Sequence, residues 1–112
     1  MHWITAVRRR WPRVLTAHRL HRMIQSEWPG GELVERGIGD LDRGVVSIEA
    51  LLVSLSAPRL RTLGLTVPEP LPEPEIRLYR LLSEEHGPGA HARYNALIRR
   101  IVSFQRAMAC AR

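Results

Sequence analysis

The 112 residues suffice for one domain whose core needs neither disulfide nor metal. Hydrophobic residues make up 45% and charged residues 25%, the balance of a soluble globular protein, and a single cysteine, Cys110, excludes an internal disulfide. The net charge of +6 comes from 17 arginines with no lysine, and no run reaches the ~18 apolar residues of a membrane span.

The N-terminal stretch "WITAVRRRWPRV" spaces Trp3, Val7 and Trp11 four apart, as in a short helix ending near Pro12. Arg8–Arg10 follow the apolar residues, the reverse of a secretory signal, so the expected compartment is the cytoplasm. Tryptophans among arginines can meet an anionic membrane surface or stack on single-stranded nucleic acid. Capping a small core while the arginine stems cover it is the commoner use.

Residues 13–28 carry Val14, Ala17, Leu20, Ile24 and Trp28 at helical spacing, with Pro12 suited to the first turn and "PGG" at 29–31 as the stop. Residues 32–46 give no clear element; Gly37, Gly39 and Gly44 suggest turns around short helical pieces. Ser47 is a natural N-cap for "SIEALLVSLS", where Ile48, Leu51, Leu52 and Leu55 form one wide apolar face and Glu49 meets the positive helix end. Pro58 would open a further short turn, "APRLRTLG", closed by Gly64.

Four prolines in 66–75 make that segment extended, a rigid connection between an N-terminal half and a C-terminal one. Residues 75–86 form the next helix, and "GPG" then separates it from a long helix over 88–110, so the two should make an αα-hairpin. On the long helix Tyr94, Leu97, Ile101, Phe104, Met108 and Ala111 follow spacings of three and four, and Ile98 and Val102 widen that stripe. Arg93 with Arg100, and Arg99 with Arg106, lie on its flanks and back, one heptad apart within each pair. The expected fold is therefore all-α, a single domain over 1–112 built as a small bundle of about five helices with a C-terminal αα-hairpin.

Charge is segregated along the chain. Residues 1–26 hold six arginines and no acid, residues 27–50 hold six acids against Arg36 and Arg43, and residues 76–112 hold seven arginines against Glu84 and Glu85. A GC-rich genome accounts for arginine without lysine more simply than selection for anion binding does.

No enzyme is expected. "SEEH" at 83–86 places Ser83, Glu84, Glu85 and His86 on consecutive helix positions, which splay apart and cannot converge unaided. The glycines of "GIGDLDRG" follow no strand, which removes the context a dinucleotide site needs. His18 with His21, and His86 with His91, are too few for a metal site without cysteine pairs, so neither metal nor cofactor is expected.

The leading function class is a non-enzymatic protein-interaction module, an adaptor or small regulatory subunit. Its partner would be another protein or a second copy of the chain meeting at Phe104, Met108 and Ala111, which extend beyond the reach of the shorter hairpin helix. The alternative is a basic nucleic-acid-binding protein, with His91, Arg93 and Asn95 near the start of the long helix reaching bases and Arg99, Arg100 and Arg106 along the phosphates.

Overall fold

A computed structural model describes residues 28–111; the short N-terminal helix expected to end near Pro12 and all but Trp28 of the helix expected over 13–28 lie outside them. Three helical segments make up the described residues, with no strand among them: α1 (Gly31–Asp42), α2 (Ile48–Thr62) and a bent run of 37 residues from Pro74 to Cys110. The bent run has two arms, α3 (Pro74–His86) and α4 (Ala90–Cys110), joined by a 3-10 turn at Gly87–Gly89. The all-α class is as expected, and five separate helices are not seen among these residues.

The first difference from expectation is α1. Residues 32–46 suggested turns, yet twelve residues, three of them glycine, form one helix. Leu33, Val34, Ile38 and Leu41 bury its inner stripe. Gly37 is there for closeness rather than for a turn: a Cβ on it would lie 2.5 Å from the Glu49 carbonyl oxygen and 2.4 Å from Cγ2 of Val53. Only a residue without a side chain lets α1 approach α2 that tightly.

Ser47 caps α2 as expected, its hydroxyl accepting from the Ala50 amide at 3.0 Å. Pro58 does not open a new turn but lies inside the helix. An internal proline costs about 3 kcal/mol. Pro58 itself is exposed, and its neighbours Ala57 and Leu60 are fully buried, so core packing offsets that cost. The apolar face of α2 is also wider than expected, because Ala50, Leu51, Leu52, Val53, Ala57 and Leu60 are all buried, and α1, α3 and α4 all contact the helix. It is the central element of the core.

Gly64, at φ +106°, ends α2. The Gly64 amide donates to Arg61 O and the Leu65 amide to Leu60 O, both at 3.0 Å, while Leu60 and Leu65 are both buried. That is the two-bond Schellman closure with its apolar contact. The proline-rich connection then runs back along the core, as a rigid strap rather than a free linker. Val67 is buried, the Leu71 amide donates to Ser54 Oγ at 3.0 Å, and the Arg61 guanidinium donates to the Val67 carbonyl at 2.9 Å.

The bend at Gly87, where φ is +55°, folds α3 and α4 together. Tyr79 of α3 packs against Tyr94 and His91 of α4, with ring centroids 5.6 and 6.3 Å apart. Leu97, Ile101, Phe104 and Met108 of α4 are all at most 3% exposed and join Leu78 and Leu82 of α3 in the core.

Two of the three residues considered for self-association are buried within the chain. Phe104 and Met108 are enclosed by the chain itself, and Trp28 meets the Phe104 ring edge-on with centroids 5.9 Å apart. Of the three seam candidates only Ala111 is exposed, and a lone methyl offers little area for association.

Candidate interaction surface

Two surfaces near the N-terminal end of α2 combine apolar and charged side chains. The first begins where α1 closes. Gly44, at φ +72°, donates from its amide to Leu41 O at 3.1 Å, and the Val45 amide donates to Asp40 O at 2.8 Å, the same two-bond closure that ends α2. In such a closure the residue after the glycine usually tucks against an apolar residue in the last turn. Here the residue in that place is Asp40, so Val45 has no apolar partner there and stays 43% exposed.

Asp40 has other work. Its carboxylate accepts from the Ser47 hydroxyl at 2.6 Å and from the Arg43 guanidinium, and Ser47 in turn caps α2. The five-residue loop 43–47 is thus tied at both ends, and it holds Val45 and Val46 outward, Val46 at 49% exposure. Beside Val46 opens a cleft of about 230 Å³ between the loop and α3. Half-buried Leu81 lines it above the fully buried Leu51, and Arg77, Arg80 and Glu84 stand around it. Arg77 is braced by donating to the Pro72 carbonyl at 3.2 Å.

The second surface divides the arginines of α4. At about 100° per residue, Arg93 and Arg100 project within about 20° of one another on one side of the buried stripe. His91, Asn95, Arg99 and Arg106 spread over about 80° elsewhere, with Arg99 and Arg106 on the back of the helix opposite that stripe. The six residues considered for nucleic-acid contact therefore divide between two sides of the helix. His91 is further engaged by its ring contact with Tyr79. Arg93 and Arg100 face a cleft of about 300 Å³ between α1, α2 and α4, where Arg36, Glu32 and Glu49 are also found with Leu97 in the lining. Arg36 and Glu49 form an open ion pair at 3.8 Å.

Between the arms of the bent run, the Tyr94 hydroxyl makes a long hydrogen bond of 3.4 Å to the Glu75 carboxylate. Burial, the charge on Glu75 and that hydrogen bond together raise the Tyr94 phenol above its ordinary pKa.

The exposed valines and the three-arginine cleft were not found by sequence reasoning. Val45 and Val46 follow the glycine that closes α1, but their exposure depends on Asp40 occupying the place of an apolar partner. Arg36 meets Arg93 and Arg100 only through tertiary packing, across more than fifty residues of chain.

Ser83, Glu84, Glu85 and His86 are all exposed, and His86 Nε2 lies 3.8 Å from the Glu85 carboxylate. Among the described residues no three His, Cys, Asp or Glu side chains group as metal ligands, and no helix is long and apolar enough to cross a membrane. Cys110 is exposed near the end of α4, and the N-terminal Trp–Arg stretch, His18 and His21 lie outside the described residues. Compared with protein-family models, with curated proteins and with solved structures, the chain matches none.

Proposed function

We propose that the chain is a non-enzymatic interaction module, an adaptor or small regulatory subunit, that binds a partner protein through Val45, Val46 and the cleft beside them. The observation that carries this reading is the pair of adjacent valines held outward by a loop anchored at both ends, next to a cleft lined by Val46 and Leu81. Single exposed apolar residues are commonplace, but contiguous ones beside a preformed cleft have the anatomy of an interface centre. Arg77 and Arg80 supply a charged rim, in keeping with the enrichment of arginine at such sites. Because the loop is fixed by Asp40 and Ser47, little ordering entropy is lost on binding.

A second copy of the chain is the other candidate occupant, as a homodimer formed on this surface rather than on α4. The nucleic-acid reading has weaker support. Residues 28–111 contain ten arginines and ten acids, so the excess positive charge lies in residues 1–27 and at Arg112. The α4 arginines also point to two sides instead of tracking one phosphate backbone.

Affinity capture with the intact chain and with Val46→Asp tests the reading. A discrete partner retained by the wild type and lost from a variant of unchanged melting temperature supports it. Equal retention by both contradicts it. Light scattering across concentration, run on the same two proteins, identifies the case in which the partner is a second copy.

A further inference from the structure

We propose that the cleft between α1, α2 and α4 is a binding site for a phosphate group, held by Arg93 and Arg100 of α4 with Arg36 of α1 opposite them. This site is separate from the Val46 surface and does not depend on what that surface binds.

Three arginines and two carboxylates line the cleft, and the carboxylates are already compensated. Glu49 lies in the first turn of α2 and Glu32 in the first turn of α1, where the positive end of each helix offsets a negative charge. Glu49 also pairs with Arg36 at 3.8 Å, too long for a hydrogen bond, and the Arg36 side chain is 67% exposed, so it is free to turn to another anion. Neither Arg93 nor Arg100 makes an ion pair or a side-chain hydrogen bond with another described residue. Two guanidinium forks thus stand over one cleft with their donors unmatched by acceptors among the described residues.

Their spacing suits a single group. Seven residues along α4 separate the two Cα atoms by about 10.5 Å, a gap that two long side chains close from either end. A carboxylate, with two oxygens, saturates one bidentate fork. A phosphate carries enough oxygens to engage both forks and a third guanidinium at once, which selects phosphate over carboxylate here. On the α4 side the cleft is lined by Leu97 and the two arginines, with no acidic residue of that helix.

The test titrates inorganic phosphate and pyrophosphate into the intact chain by calorimetry and by amide chemical shift. Saturable binding is expected, with shifts confined to residues near 32–36, 48–49 and 93–100. Arg93→Gln and Arg100→Gln should each weaken it about ten-fold, the loss of one charged hydrogen-bonding partner, while the melting temperature without ligand is unchanged. Arg99→Gln with Arg106→Gln, on the back of the same helix, should leave it unaltered. Stronger binding of a short DNA duplex with the same dependence on Arg93 and Arg100 would identify the phosphate as one carried on a nucleic acid. No saturable binding of any of the three probes overturns the proposal, and so does binding that follows Arg99 and Arg106 instead.

Discussion

Gly37 of α1 lies against the carbonyl oxygen of Glu49 in α2, so closely that a Cβ would sit 2.5 Å from it. This contact sets the distance between the two helices, and a methyl group there has nowhere to go. Gly37→Ala should destabilise the protein by about 1–3 kcal/mol through overpacking, even though alanine is the better helix former. Gly39→Ala is the control, since the nearest atom to its Cβ is the flexible end of Arg43 at 3.5 Å. That change should gain up to about 1 kcal/mol. Chemical denaturation of the two variants checks both signs; equal effects would show that Gly37 is not a packing contact.

Phe104 is fully buried and meets Trp28, and Gly30 beside it is equally constrained, its φ being +76° and its would-be Cβ 2.6 Å from the Arg100 carbonyl. Phe104→Ala should cost about 3–5 kcal/mol. Gly30→Ala should also lower the melting temperature, because alanine resists that backbone angle as well as the contact. A Phe104→Ala protein of wild-type stability that merely loses a dimer would return this residue to an association surface.

Asp40 ties the end of α1 to the start of α2 through Ser47 and Arg43. Asp40→Ala leaves the Ser47 hydroxyl without its acceptor and should cost about 1–3 kcal/mol. It should also loosen loop 43–47, read as faster hydrogen exchange at Val45 and Val46. Unchanged exchange would mean that the loop is held by its backbone closure alone.

Tyr94 gives a pH dependence with a definite sign. Its folded-state pKa is raised, by burial first and by Glu75 second, so the native state favours the protonated phenol. The stability it contributes is fully present below the unfolded phenol pKa of about 10 and is lost as pH rises through the folded value. As pH rises above about 10 the wild type should therefore lose more stability than Tyr94→Phe, which has no phenol to ionise. Parallel denaturation curves for the two proteins across that range would contradict the assignment.

Much of the helical core was legible because it depends on local order. Ser47 announces α2 by its type and position, and the spacing of Leu97, Ile101, Phe104 and Met108 gives the buried stripe of α4. Where a residue has two uses, sequence alone chose the commoner one. Glycines at 37 and 39 read as turn formers because the close approach that requires Gly37 comes from α2, a separate element. Pro58 read as a helix start because nothing local says that burying Ala57 and Leu60 outweighs an internal proline. The three-to-four spacing on α4 also suited a seam between copies, and only the placement of Trp28 and the neighbouring helices shows Phe104 enclosed. The surfaces were the least legible part. Helical geometry already divided the α4 arginines into two pairs, but that Arg36 stands opposite one of them was not legible, and the Val46 cleft exists only once α3 lies beside loop 43–47.

Site-specific photocrosslinking tests most directly whether Val46 meets a partner protein. A photoreactive side chain at position 46 of the intact chain, expressed in its native cells, should trap one discrete adduct. The same group at Arg59, exposed about 20 Å further along α2, should not. No adduct at position 46, or the same adducts from both positions, would contradict an interface centred on Val46.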